Sequence, residues 1–235
     1  MKRLSIIIPC YNESKNLPLL INRCKEVASR TNNIEIIIVD NGSNDDTSIV
    51  LDKITKNLSF ITRVRIKENQ GYGHGILAGL NVANGEILSW THSDMQTDVS
   101  DLLKGLEFFN DKVNSEKLFV KGRRKERPLM DVFFTVGMSI FETLLLREPM
   151  WDINAQPTMF HRKFFSTWDS PPKDFSLDLY AYFMSKKSKL IVKRFPVFFN
   201  ERAHGISHWN VSFISKFRFI KRTLLYSFNL QRRIR

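Results

Sequence analysis

Acidic residues are all but missing from the end of the chain: residues 186–235 carry one, Glu201, against 13 Lys and Arg. Residues 1–185 hold 23 side chains of each sign, so the whole net charge of +12 lies in that last stretch. This excludes a uniformly basic protein that coats nucleic acid and leaves a neutral body with a cationic end. Cysteine is nearly as scarce. Cys10 and Cys24 form no metal-type cluster and are too few for a disulfide scaffold, so a reduced, cytosolic-side protein is expected. The longest apolar stretch, Val132–Leu146, is interrupted by Glu142 and is expected to be too short to span a bilayer. The first residues are basic, but Pro9 and polar neighbours cut their apolar run short of a signal-peptide core. No unaided membrane crossing is expected. What is present is an apolar content of 43%, which excludes a disordered or collagen-like chain. A chain of this length buries roughly 70% of its unfolded surface, enough for one large core or two small ones.

The first hundred residues alternate β-branched runs with helical periodicity. Leu4–Ile8 and Ile34–Asp40 read as strands, with weaker strands at Val64–Lys67 and Ile87–Thr91. Apolar residues recur at helical spacing in Leu17–Ser29, Thr47–Lys56 and Ile76–Ala83. Continuous rather than alternating apolar strands indicate a mostly parallel sheet covered on both faces, an open α/β fold with its ligand site beyond the strands' carboxyl ends.

Unusual residues follow each strand there: Pro9-Cys10-Tyr11-Asn12-Glu13, Asp40-Asn41-Gly42-Ser43, Glu68-Asn69-Gln70-Gly71 and His92-Ser93-Asp94. Any one of them also reads as a turn or helix cap. Together they make a nucleotide-sized site on one edge. Gly71-Tyr72-Gly73-His74-Gly75 is not a dinucleotide fingerprint, since its spacing is wrong and it follows the third strand. Its glycines are expected to let the backbone pass close to a ligand ahead of a helix starting at Ile76.

These residues resemble the family 2 glycosyltransferases of the GT-A fold, and within them the dolichyl- or polyprenyl-phosphate mannose synthase-like branch. The resemblance rests on Ile6–Glu13 with Asn16-Leu17-Pro18, Ile37–Ser43, Asn69–Gly73, and Ala83–Ile87 leading into Ser93-Asp94-Met95-Gln96. It implies that Pro9, Tyr11 and Glu13 line the base and ribose pocket and that Asp40 accepts hydrogen bonds from the nucleotide. Ser93 falls beside the donor. Asp94 falls on the second acid of the family's Asp-x-Asp metal motif, with oxygen ligands suited to Mg²⁺ or Mn²⁺. His92 replaces the first acid, and Asn41 replaces the second Asp of the more usual Asp-Asp-Gly-Ser. Imidazole is a reasonable Mn²⁺ ligand; His92 either binds the ion or only packs beside it. Gln96 matches a metal-ligand position of the mannose synthase-like branch, so Asp94 with Gln96 would suffice.

The resemblance is sparser in the second half. Val120-Lys121-Gly122-Arg123-Arg124 stands in place of a Gly-Ser-Arg segment. The cluster, Arg123 in particular, would hold the sugar diphosphate or the acceptor phosphate, unless it is a solvated loop. Asp152-Ile153-Asn154-Ala155-Gln156-Pro157 matches an acceptor-side segment, with Gln-Pro replacing Gly-Phe. Asp152 is the candidate general base for a hydroxyl acceptor; it would only position an ionised phosphate acceptor, or merely cap a helix. Arg202, Gly205 and Ser207 match an Arg…Gly-x-Ser element that closes on the diphosphate. No Gln-x-x-Arg-Trp motif of processive synthases is present.

From Asn210 the pattern is helical, with Phe213, Phe217, Ile220, Leu224 and Phe228 interleaved with Lys216, Lys221 and Arg222. This fits an amphipathic helix on an anionic membrane surface, or else core or dimer packing. Pro128–Leu146 is a second candidate lipid-facing helix. The expected organisation is a catalytic domain at 1–209, divided near residue 98 into nucleotide-sugar-binding and acceptor halves, and a basic segment at 210–235. The expected activity is metal-dependent, inverting transfer of one sugar from a nucleotide-diphosphate sugar to a polyprenyl phosphate. It would take place peripherally on the cytoplasmic face, with an integral-membrane partner or homodimer supplying any missing anchor, and without nucleic acid. Transfer to a saccharide hydroxyl, or a catalytically silent nucleotide-sugar-binding protein, are the alternatives.

Overall fold

The computed structural model describes residues 3–111, 113–205 and 213–234. Seven strands form one sheet: β1 (Leu4–Cys10), β2 (Ile34–Asn41), β3 (Ile61–Ile66), β4 (Ile87–Trp90), β5 (Leu118–Lys125), β6 (Thr158–His161) and β7 (Ile191–Phe198). Their order is β3-β2-β1-β4-β6-β5-β7, and β6 alone runs antiparallel to both of its neighbours. β1 and β2 are buried along their whole length, which is why they read as unbroken apolar runs. Alternate residues serve opposite layers. Leu4, Ile6 and Ile8 pack with α1 (Leu17–Arg30), α2 (Thr47–Thr55) and α4 (Asp101–Glu107). Ile7, Ile37 and Val39 pack with α3 (Tyr72–Val82) and α7 (Leu177–Lys187). The expected mostly parallel, open α/β sheet flanked by helices is the observed architecture.

Three expectations change. First, α3 begins at Tyr72 rather than Ile76, so Gly73 and Gly75 lie within the helix. They admit other parts of the protein: a Cβ on Gly73 would sit 2.6 Å from the Asp174 carbonyl oxygen, and one on Gly75 3.2 Å from the Asn41 side chain. Second, β3 starts at Ile61, three residues before the expected Val64, as a half-exposed edge strand. Third, the apolar stretch expected to be too short to span a bilayer lies within the longer helix expected over Pro128–Leu146. Pro128 sets the start of α5 (Leu129–Leu146), whose 18 residues are long and apolar enough to cross a membrane by length and composition. Only 17% of α5 is buried.

The short α6 (Arg162–Phe165) follows β6, and α8 (Phe213–Ile234) ends the described chain. α8 lies against α5. Ser227 donates to Glu142 at 2.5 Å, Gln231 donates to the Leu145 carbonyl at 2.8 Å, and Phe141 meets Phe228 edge to face. Arg222 pairs with Asp174 at 3.3 Å. Burial pushes the Glu142 carboxyl up to about 7, opposed by the Ser227 bond. Ser207 and the boundary expected at 209/210 lie outside the described residues.

Candidate active site

The sheet order reverses at β1, whose neighbours are β2 on one side and β4 on the other. Loops leaving β1 and β4 therefore diverge above the sheet and open a crevice. The loop after β1 is stitched to the loop after β2: Asn12 N donates to Ser43 Oγ at 3.0 Å, Asn44 N to Asn12 Oδ1 at 2.9 Å, and Glu13 N to Thr47 Oγ1 at 2.8 Å. Asp40 is buried, and its Oδ1 accepts from Ser43 N at 3.0 Å, tightening the turn at Gly42. Pro9 is buried and Tyr11 half-buried at this rim, with Asn44 Nδ2 reaching Tyr11 Oη at 3.4 Å. Asn41 donates to the Gly71 carbonyl at 2.9 Å, so a carboxamide here ties the second loop to the third.

Asp94, on the loop that follows β4, is 4% exposed. Met95 takes a left-handed backbone, φ 62°, which lets Gln96 N donate to Asp94 Oδ1 at 3.1 Å. Asp94 Oδ2 pairs with Arg202 Nη2 at 2.8 Å. Gln96 and Asn200 hold each other, Asn200 N to the Gln96 carbonyl at 2.9 Å and Gln96 Nε2 to the Asn200 carbonyl at 3.3 Å. Burial raises the Glu13 carboxyl, opposed by a bond from Asn16; the charge of Asp94 raises it further and that of Arg202 lowers it. Ser93 is buried under this group and hydrogen-bonds Cys10, whose thiol burial pushes well up. Both cysteines are free and buried.

No three His, Cys, Asp or Glu side chains converge as a protein cage for a metal among the described residues. Asp94, with the Glu13 carboxyl in electrostatic reach and Gln96 two residues along the chain, offers hard oxygen donors. Such a set suits Mg²⁺ or Mn²⁺ completed by substrate phosphates, which those ions accept with only one or two carboxylates. The residues present fit the ion in that form. The His92 ring stacks on Tyr72, centroids 5.7 Å apart, and Tyr72 stacks in turn on Phe175 at 4.7 Å.

Beneath that stack is a buried polar hub. Asp178 accepts from Gln156 Nε2 at 2.8 Å and from Trp90 Nε1 at 3.2 Å, and Gln156 also reaches Tyr72 Oη at 3.3 Å. Lys121, fully buried, donates to Thr158 Oγ1 at 2.7 Å and lies 4.0 Å from Asp178. Burial lowers the Lys121 ammonium to about 8 and raises Asp178, driving both partners toward their neutral forms.

On the side expected to take the acceptor, Asp152 does not cap a helix; it sits at φ 45° in a loop, 3% exposed. Arg124 grips its carboxylate through Nε at 2.9 Å and through Nη2, and donates its backbone N at 3.2 Å. Arg127 stands 3.8 Å away, and Arg194 donates to the Trp151 and Asp152 carbonyls. Burial raises the Asp152 carboxyl, but the charge and bonds of Arg124, with the charge of Arg194, outweigh it and leave the group below its ordinary range. Three guanidinium groups face one carboxylate, and Arg127 Nε, Arg194 Nε and Arg194 Nη1 are buried without hydrogen-bond partners. Such a group calls for an anion. Arg123 is exposed, because alternation along β5 turns it away from Arg124. Arg127, Arg194, Tyr72 and Asp178 were not singled out as site residues from sequence, and Arg124 was named only as a member of the basic cluster with Arg123. Strand alternation would have separated Arg124 from Arg123, whereas Arg194 and Asp178 carry no local signal.

The chain matches the model of glycosyl transferase family 2 over residues 5–168. Among curated proteins it is 32% identical, over 107 residues, to the undecaprenyl-phosphate 4-deoxy-4-formamido-L-arabinose transferase of Photorhabdus laumondii, and 34% over 104 residues to that of Yersinia enterocolitica. Each alignment covers 43% of this chain and 32% of the relative, so the chain spans about a third of the length of these curated relatives. Among solved structures, the fold is similar to that of glucosyl-3-phosphoglycerate synthase from Mycobacterium tuberculosis in complex with Mn²⁺, UDP and glucosyl-3-phosphoglycerate. That match has a TM-score of 0.71 and 13% identity, covering 97% of this chain and 80% of the other. It is also similar to a mannosyltransferase from Pyrobaculum calidifontis in complex with GDP-Man and Mn²⁺, with a TM-score of 0.64 and 17% identity over 83% of this chain and 56% of that one.

Proposed function

The chain belongs to glycosyl transferase family 2, and on that premise we propose that it moves one sugar from a nucleotide-diphosphate donor to a polyprenyl phosphate. It does so peripherally, at the cytoplasmic face of a membrane. The names of the curated relatives, undecaprenyl-phosphate sugar transferases, support this acceptor class.

The observation that carries the choice of acceptor is the state of Asp152. A hydroxyl acceptor needs a base that can take its proton, and a carboxylate locked by Arg124 with a lowered pKa is a poor one. A phosphate acceptor is already ionised near neutrality and needs countercharge instead, which Arg124, Arg127 and Arg194 supply. Asp152 then holds the guanidinium groups in place. The acceptor oxygen attacks the anomeric carbon from the face opposite the nucleoside diphosphate, inverting the centre.

On the donor side Pro9, Tyr11, Glu13 and Asp40 take the nucleoside, and Arg202, with Ser207, takes the diphosphate. Asp94 and Gln96 would hold the divalent ion. Once bound, Mn²⁺ or Mg²⁺ supplies neutralisation of charge on the departing diphosphate. Arg123, exposed on β5 and turned away from Arg124, is not needed for binding either phosphate group.

The test is a panel of nucleotide sugars with undecaprenyl phosphate, with and without Mn²⁺. An acid-labile glycosyl phosphate should form, and transfer should stop in excess EDTA and in Asp94→Ala. An acid-stable glycoside formed on a saccharide would instead establish the hydroxyl acceptor. Donor binding without turnover on any acceptor would mark a silent binding protein.

A further inference from the structure

The Asp94 carboxylate already has a cation. Arg202 Nη2 lies 2.8 Å from its Oδ2, and the segment carrying Arg202 is fastened on both sides. Asn200 exchanges two hydrogen bonds with Gln96, and the His204 carbonyl accepts from Asn16 Nδ2 at 3.1 Å. The Gln96 bond uses the donor end of its amide. The guanidinium itself is incompletely satisfied, since Arg202 Nε is buried without a partner. It is held by one carboxylate oxygen while a second donor remains unused, although guanidinium prefers paired anionic oxygens.

We propose that Arg202 is the resident countercation of Asp94 and competes with the divalent ion for it, leaving for the donor's diphosphate when the ion arrives. This rests on the donor-site reading above. A guanidinium at hydrogen-bond distance and a divalent ion on the same carboxylate would be like charges a few ångströms apart, a repulsion that a part-buried site does not screen well. The diphosphate resolves the conflict, because its oxygens complete both the ion's coordination and the Arg202 fork. Metal and nucleotide therefore bind with positive coupling, and the coupling passes through Arg202. In the absence of ligand the same ion pair keeps the buried carboxylate compensated.

The experiment is a Mn²⁺ titration of the full chain followed by electron paramagnetic resonance, with no acceptor present. The wild type is compared with Arg202→Gln, Arg202→Lys and Asp94→Asn, and circular dichroism establishes that each is folded. Without nucleotide, Arg202→Gln should bind Mn²⁺ about three- to tenfold more tightly than wild type, the scale of one removed neighbouring charge. Arg202→Lys, which keeps the charge, should stay closer to wild type, and Asp94→Asn should lose the site. Added nucleoside diphosphate should tighten Mn²⁺ binding in the wild type and do so less in Arg202→Gln. Equal or weaker Mn²⁺ affinity in Arg202→Gln, or no Mn²⁺ binding by any form, overturns the proposal. Failure of sugar transfer to undecaprenyl phosphate would instead count against the acceptor reading and leave this titration unaffected.

Discussion

In the proposed reaction Asp152 and Arg124 divide the acceptor chemistry between them, and their contacts set what each substitution should do. If the carboxylate only braces the guanidinium groups, Asp152→Asn keeps a side chain of the same shape that can still accept from Arg124. Its kcat with undecaprenyl phosphate should fall by less than about tenfold, far from the loss expected of a removed base. Arg124→Gln removes the charge that faces the acceptor. Charge-assisted bonds of this kind contribute about 1.5–3 kcal/mol, so the acceptor KM should rise about tenfold or more with a smaller change in kcat. Steady-state kinetics over a range of acceptor concentrations separates the two effects. A drop in kcat of about a thousandfold in Asp152→Asn would restore Asp152 as the base. His92 shows the same dependence on neighbours: its ring lies against Tyr72, and a chain of contacts leads from there through Gln156 to buried Asp178.

At the scale of elements, the α5–α8 pair is joined by a buried carboxyl with one hydrogen-bond partner, Ser227, and a second oxygen that has none. Its folded pKa of about 7 lies above the ordinary 4.5, so the folded chain holds a proton that the unfolded chain releases between those values. The stability from the protonated contact is therefore full below about pH 4.5 and is lost as pH rises through about 7. Glu142→Gln keeps a donor and an acceptor without the charge. It should be more stable than wild type by about 1–3 kcal/mol at pH 8 and similar at pH 5, as measured by urea unfolding at the two pH values. Elements whose causes are local were legible in the sequence. β1, β2 and β4, along with α1 and α2, follow from apolar runs and periodicity, and the ends of these strands and the loops after them hold the residues proposed for the donor. What escaped depends on distant partners. Gly71 and Gly73, at the start of α3, are there because residues 172–174 press on them from about a hundred positions away, and Gly75 makes room for Asn41 and Pro9. The grip of Arg124 on Asp152 joins β5 to a loop 28 residues later, a pairing no spacing rule anticipates.

Exposed apolar side chains of α5 and exposed cations of α8 lie on two helices packed against each other. Along α8, Lys221, Leu225, Phe228 and Arg232 are all exposed and recur at spacings of four, three and four, while Ser227 and Leu230 face inward to the rest of the fold. The exposed stripe is thus offset from the Ile220 and Leu224 anchors expected from periodicity, which are half-buried. α5 adds Leu129, Phe133 and Leu144, each more than 70% exposed. A surface of aromatic and aliphatic anchors flanked by cations suits an interface rich in anionic lipid, where an acceptor with a long polyprenyl tail would reside. The two contributions can be separated on vesicles of phosphatidylglycerol and phosphatidylcholine. Phe133→Glu with Leu144→Glu should weaken sedimentation with anionic vesicles by about tenfold or more, since each buried anchor is worth about 1.5–3 kcal/mol. Lys221→Glu with Arg232→Glu should weaken it about thirtyfold or more and flatten its salt dependence, at about 1 kcal/mol per cation. None of these side chains belongs to the donor crevice, so transfer to a short, soluble polyprenyl phosphate should be retained while transfer on vesicles falls. Binding that ignored lipid charge and survived both pairs of substitutions would instead assign this surface to a protein partner.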